Sequence, residues 1–235
     1  MTLRIDIVTG FPLILNEALN QSIIKKGRDN KAVDIFLHDL RDFTDDKHRT
    51  IDDYPYGGGP GMVLKIEPFA RCLNLINETN DISQAEIILM TPKGSQYSQK
   101  MATELSLQGH LIFLCGHYKG IDNRIHDFYK INEVSIGDYI LSSGEIGALV
   151  VIDSIVRLLP GVLKDIDSAW TDSFTDNLLD VPYYTRPENF NGVDVPKVLL
   201  SGNHRNIDQW REKQRIEITK KYRPDLYEKH LKTIK

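Results

Sequence analysis

Cysteine is scarce in this 235-residue chain: Cys72 and Cys115 are the only two. They stand far apart, with no second cysteine or histidine at ligand spacing. That argues against a zinc site or a disulfide framework and leaves them as reduced core thiols. Long apolar runs are missing as well. The greasiest stretch, residues 146–159, is interrupted by Asp153, Ser154 and Arg157, so nothing reaches the length of a membrane span. At the amino end Arg4 and Asp6 sit inside the first apolar alternation, unlike a secretory leader. A cytoplasmic location is expected, with no membrane partner. The usual cofactor signatures are absent too. No loop after a strand reads GxGxxG, and GGGPG at residues 57–61 lacks the lysine and hydroxyl residue of a phosphate-cradling loop. A classical dinucleotide or triphosphate enzyme is thereby disfavoured.

What is present is a chain of ordinary soluble composition, 41% hydrophobic and 26% charged, long enough for a core domain with a smaller companion. The net charge of −4 hides an asymmetry. Residues 203–235 carry ten Lys and Arg against five Asp and Glu, a local +5, which leaves −9 for the body. Trp210, Tyr222 and Tyr227 are interleaved with these cations. Composition alone balances a solvated helical face against a nucleic-acid surface.

Periodicity predicts strands at 3–8, 33–40, 86–90, 111–115 and 133–136. It predicts helices at 12–26, from about 67 with Phe69, Ala70, Leu73 and Ile76 on one face, at 96–107, and a short one before the last strand. A long loop, 41–61, ends in YGGGPGM. Such alternation argues for an α/β fold with a mainly parallel sheet covered on both faces, whose ligands bind beyond the carboxyl ends of the strands. Three strands deliver loops to that edge: 91–94, 116–120 and 136–144. The last belongs to SIGDYILSSGE, residues 135–145, where Gly137 and Gly144 flank a short apolar and hydroxyl-bearing segment. Bare backbone there can approach a flat ligand such as adenine and offer it N–H and C=O groups. Taken alone, the stretch reads more readily as an ordinary strand-turn-helix corner.

Seven motifs, in order, carry a resemblance over essentially the whole chain. They are DDYPYGGGPGM (52–62), CGHYKGID (115–122), SIGDYILSSGE, SIVRLLPG (154–161), SAWTDSF (168–174), YTRPENF (184–190) and VPKVLLSGNH (195–204). The sequence resembles the bacterial tRNA (guanine-N1)-methyltransferases that modify guanosine 37, within the knotted SPOUT superfamily. The resemblance implies a deep trefoil knot threading residues 116–145, in a cofactor-binding α/β domain at 1–160. It further implies a flexible linker at 161–190 and a small, basic, helical tRNA-binding domain at 191–235. It also implies a homodimer with the active site at the interface. Its partner is RNA rather than DNA, the anticodon arm of tRNA with guanosine at 36 and 37.

Carried over residue by residue, the resemblance places S-adenosylmethionine against Gly116, Ile136, Gly137, Asp138, Tyr139, Ile140 and Leu141. Asp172 becomes the general base that takes the N1 proton, and Arg157 stabilises charge on O6. Pro60 and Gly61 wall the guanine pocket, and Asp180 reads the flipped base. Without the resemblance, Asp172 reads as a loop or capping carboxylate and Arg157 as a cation near a helix end. Mg2+ is expected as a second cofactor. The chain departs from common family usage at His117, Lys119, Ser143, Gly147 and Tyr183, and Lys119, a charge reversal beside the cofactor loop, bears on that expectation. Two alternatives stand beside this reading: a knotted methyltransferase with another RNA target, and a non-catalytic RNA-binding module.

Overall fold

The structure, a computed structural model, describes residues 2–164, 172–174 and 176–233. It divides into two units, Met1–Ile166 and Asp167–Lys235. In the first unit β1 (Leu3–Thr9), β2 (Val33–Asp39), β5 (Glu86–Gln96), β6 (His110–Cys115) and β7 (Ile131–Ser135) form a five-stranded sheet ordered β2-β1-β6-β5-β7. Every pairing is parallel. Side chains alternate across it: Ile5 and Ile7 of β1 enter one core layer, and Val8 enters the other. Burial of both faces is what parallel strands of this composition require.

On the first face lie α1 (Leu13–Leu19), α2 (Ser22–Asp29), α4 (Gln99–Ser106) and α6 (Gly144–Val156). The second face is covered by α3 (Ile66–Thr79), through Phe69, Cys72, Leu73 and Ile76, with the short α5 (Ile125–Phe128) beside it. α6 is apolar almost all round, as a helix packed on several sides must be. Val151, Ile152, Ile155 and Val156 are fully buried, while Ile146 and Val150 remain 44% and 46% exposed.

Two elements differ from the periodicity. The helix expected at 12–26 is two helices. The Asn20 side chain bonds back to the Asn16 carbonyl at 2.7 Å, and Ser22 has φ 50°, so local polar bonding interrupts the ladder. β5 does not stop at Met90. After a bulge over residues 91–94 it pairs again with β7, and both Met90 and Ser95 face Val134. Gly94 permits this return, because a Cβ there would lie 2.4 Å from the backbone carbon of Glu133. The loop expected over 41–61 contains a 3-10 turn at Leu40–Phe43 and β3 (Asp52–Asp53). β3 pairs antiparallel with β4 (Val63–Leu64).

The second unit holds a two-residue ribbon, β8 (Asn189–Phe190) with β9 (Val193–Asp194), then α7 (Lys197–Leu200), α8 (His204–Tyr222) and α9 (Pro224–Thr233). Asn203 caps α8 by accepting the Asn206 N–H. Pro224 ends that ladder and starts the next helix, the position a proline tolerates best. Among the described residues no helix is long and apolar enough to cross a membrane.

Candidate active site

The carboxyl ends of β5, β6 and β7 enclose a cavity of about 630 Å³. Thr91, Pro92 and Lys93 come from the bulge, residues 116–121 from the loop after β6, and Ser135 to Gly137 with residues 139–144 from the loop after β7. Six of the seven cofactor positions read from the sequence line it: Gly116, Ile136, Gly137, Tyr139, Ile140 and Leu141. Asp138 belongs to the same loop but is exposed and outside the lining.

The loops are locked together through main chain. The Gly144 N–H donates to the Gly116 carbonyl at 2.8 Å, which sets the first turn of α6 against the end of β6. A Cβ on Gly144 would sit 2.9 Å from the Gly116 nitrogen and 3.1 Å from the Cys115 Cα, so only glycine fits. The backbone groups of Ile140 and Leu141, by contrast, have no partner within the chain among the described residues. A cavity that mixes apolar side chains with unclaimed main-chain donors and acceptors suits an adenosyl group, whose base is flat, apolar on its faces and polar on its edge.

A second layer supports these loops. The β3–β4 ribbon is stitched to the loop after β6 by Lys119 N–H to the Met62 carbonyl at 3.1 Å and Leu64 N–H to the Gly120 carbonyl at 3.0 Å. Pro60 and Gly61 lie in the loop of that ribbon. Gly61, at φ 99°, lies against the stem of Lys119, which a Cβ would meet at 3.1 Å. Thr9 donates its hydroxyl to the fully buried Glu145 and accepts the Phe11 N–H at 2.8 Å, and the Phe11 ring meets His117 at 4.5 Å. The other oxygen of Glu145 is buried without a partner. Burial, and then this carboxylate, push the Cys115 thiol well above the usual range. Desolvation, then the hydrogen bond and charge of Asp52, raise the phenol of Tyr118.

Arg157 is the C-cap of α6. Gly144 opens that helix at the cavity, so the helical rise puts Arg157 about 20 Å further along the axis. In the second unit the Asp180 carboxylate accepts from the Val181 N–H at 2.7 Å and from the Tyr183 hydroxyl at 2.8 Å, and the Asp180 N–H donates to Ser173 Oγ at 2.9 Å. The Tyr183 phenol is raised first by that hydrogen bond, then by desolvation, and also by the charges of Asp180 and Asp172. Residues 165–171 of the SAWTDSF region and the linker lie outside the described residues.

Helix α8 fixes the segment after Asp172. Arg215 pairs with Asp176 at 2.5 Å, Thr219 accepts the Leu179 N–H at 2.8 Å, and His230 of α9 meets the Asp176 carbonyl at 2.9 Å. Desolvation alone would raise the Asp176 carboxyl, and Arg215 more than reverses it. Along these helices Tyr184 lies 6.4 Å from Trp210 and Lys220 stands over the Tyr227 ring at 4.7 Å.

Nothing supports the expected magnesium: among the described residues, no three His, Cys, Asp or Glu gather as metal ligands. Sequence reading missed Asn123 and His126 in the lining and the Thr9–Glu145 and Phe11–His117 contacts. The only signal for the latter was the Gly10-Phe11-Pro12 punctuation at the end of β1.

A profile described as tRNA (Guanine-1)-methyltransferase TrmD matches residues 3–229. A Bacteroides fragilis protein named tRNA (guanine-N(1)-)-methyltransferase is 50% identical over 226 residues, covering 96% of this chain and all of that protein. Proteins of the same name from Geobacillus kaustophilus and Clostridioides difficile are 50% and 48% identical, covering 97% of this chain and 93% and 98% of theirs. With its motifs in order and matched from the first strand to the last helix, the chain belongs to the tRNA (guanine-1)-methyltransferase TrmD family.

Proposed function

We propose that this protein is an enzyme that methylates N1 of guanosine 37 in tRNA, next to the anticodon, with S-adenosylmethionine as donor. The observation that carries this is the cavity on β5, β6 and β7, in a chain that matches the family from residue 3 to residue 229. Gly116, Ile136, Gly137, Tyr139, Ile140 and Leu141 would hold the donor, with Asp138 at the rim. The bound donor supplies an electrophilic methyl group on sulfur.

N1 of guanine carries a proton at neutral pH, and its lone pair is delocalised into the ring amide. Asp172 removes that proton as the bond to carbon forms, which makes the nitrogen a nucleophile. Negative charge then gathers on O6, where Arg157 answers it more strongly in the transition state than in the ground state. Because N1 lies on the pairing edge, the base must leave the anticodon-loop stack. Pro60 and Gly61 wall the pocket that receives it, and Asp180 reads its edge. The cations of α8 and α9 grip phosphates of the anticodon arm.

Arg157 stands at the far end of α6 from the cavity, which favours a homodimer in which a second copy completes each site. The exposed Ile146 and Val150 give α6 an apolar face for that contact. The trefoil knot over 116–145, the linker at 161–190 and cytoplasmic location complete the reading.

Single-turnover methyl transfer tests the assignment. Asp172→Ala should slow the step by about 10²- to 10⁴-fold, and Arg157→Ala by a comparable factor, with donor affinity unchanged in both. Full activity in either variant would remove that residue from the mechanism.

A further inference from the structure

The proposed base and the proposed guanine reader, Asp172 and Asp180, flank one closed segment of the second unit. Ser173 Oγ accepts the Asp180 N–H at 2.9 Å, and the Phe174 N–H donates to the Leu178 carbonyl at 2.8 Å. This closure is strained. Phe174 and Asn177 take positive φ, 81° and 63°, a conformation that side chains rarely adopt and that persists only where the surroundings impose it. Those surroundings are α8 and α9. Arg215 and Thr219 lie four residues apart, on one face of α8. Arg215 Nη2 reaches the Asp176 carboxylate at 2.5 Å, and His230 Nδ1 of α9 meets the Asp176 carbonyl at 2.9 Å. The Thr219 hydroxyl accepts the Leu179 N–H at 2.8 Å and donates to the Arg215 carbonyl at 2.7 Å. Thr219 and Leu178 are fully buried at this junction. The Arg215 side chain is only 18% exposed, and its Nε is buried without a partner among the described residues, so the helix tolerates a stranded donor where it makes this pair. An arginine turned inward in this way is spent on the chain itself and is not one of the cations that α8 offers to phosphate.

Resting on the reading that Asp172 is the general base, we infer that Arg215 and Asp176 are positioning residues for it. Their ion pair fastens the segment between Asp172 and Asp180 to the helix assigned to the anticodon arm, so docking of the RNA on α8 and alignment of the base become one event. Arg215 acts through the segment, with Thr219 and His230 as its second and third fastenings. The pair and the RNA grip are separable. Breaking the pair leaves the exposed cations of α8 and α9 in place, and so leaves tRNA affinity. It frees the segment to shift, and a displacement of about 1 Å in a reacting group costs about 10²-fold in rate. A direct ion pair at 2.5 Å is also screened by salt far less than phosphate contacts, which release counterions.

Single-turnover methyl transfer at saturating tRNA, with tRNA binding measured separately, tests this on Arg215→Gln, Asp176→Asn, their double variant and Arg215→Lys. Each of the first two should lose about 10- to 100-fold in rate, with the tRNA Kd within about threefold of the wild type because no phosphate contact is removed. The double variant should be no slower than either single one, since both break the same link. Arg215→Lys keeps a cation opposite Asp176 and should recover most of the loss. Asp176→Asn is nearly isosteric, so it reads the link even where Arg215→Gln loosens the fold. Equal rates in the wild type and Asp176→Asn, additive losses in the double variant, or a weaker tRNA Kd with an unchanged rate at saturation would each overturn the inference while leaving Asp172 as the base. Wild-type transfer that Asp172→Ala does not slow overturns the reading of the base, and this inference with it.

Discussion

Asp6 and Lys119 are both charged side chains of the first unit, and the fold treats them in opposite ways. Asp6 is fully buried in β1, where each carboxylate oxygen has two partners. Arg4 Nε and His110 Nε2 reach one oxygen at 2.6 and 2.7 Å; Arg4 and His38 reach the other at 2.9 and 2.6 Å. The Arg4 guanidinium in turn lies over the Phe36 ring at 4.1 Å. Charge on three neighbouring strands is closed on itself, with nothing left to offer a ligand. Beyond the carboxyl ends of β5, β6 and β7, among the described residues, the loops leave main-chain groups of Ile140 and Leu141 and the Lys119 ammonium without a partner. The first arrangement holds the sheet together. The second leaves polar groups available to a ligand, so binding is to be sought where internal partners are missing.

Replacing Asp6 should have the largest effect on stability. Asp6→Ala strands Arg4 beside two histidines and should cost about 3–5 kcal/mol, lowering the calorimetric midpoint by about 10 °C. Donor affinity, measured well below that midpoint, should stay the same. A loss of binding equal to the loss of stability would erase the distinction between the two regions. Gly144→Ala strikes the other side. Its Cβ would press backbone that has nowhere to go, so adenosyl ligands should weaken by more than about tenfold, at a folding cost of roughly 1–3 kcal/mol. Unchanged titration curves would mean that the Gly116–Gly144 junction does not shape the cavity.

Acid sharpens the comparison further. Burial pushes the Asp6 carboxyl up, but the hydrogen bonds from His110, His38 and Arg4 outweigh it and hold the group well below the usual range. Its contribution is therefore complete above the unfolded value near pH ~4 and is lost as pH falls towards the lower folded value. Denaturant titrations should show stability dropping across that acid window, with a shallower slope in Asp6→Asn. Equal slopes would remove Asp6 from the acid response. The smallest effect concerns the thiols. Burial, and then the charge of Asp6, push Cys72 up to about 12, and Cys115 is raised by burial and Glu145. Neither should react with a maleimide at neutral pH until denaturant is added, when both should.

The strands were legible because alternating or continuous apolar runs with clear punctuation leave little choice of register, and the three-loop cavity followed from their order. What was hidden depended on residues distant in sequence. Arg4 and Asp6 read only as interruptions of an apolar run, because His38 and His110, which complete the cluster, lie on two other strands. The return of β5 beyond Pro92 is set by the close approach of Gly94 to Glu133, which no local pattern encodes. The split between α1 and α2 turns on Asn20 and Ser22, whose local bonding overrides an otherwise helical period. The roles proposed for Asp172, Asp180 and Arg157 rest on motifs alone. Asp180 shows why: its carboxylate accepts from Val181 and Tyr183, the local bonding of an ordinary loop aspartate.

The central claim is methylation of one atom of one nucleotide. Unmodified tRNA transcripts with guanosine or adenosine at position 37 should be incubated with the protein and isotopically labelled S-adenosylmethionine, then digested and analysed by mass spectrometry. The account predicts labelled 1-methylguanosine from the guanosine transcript, located at position 37, and none from the adenosine transcript. Label at another nucleoside, or equal label in both transcripts, would contradict it.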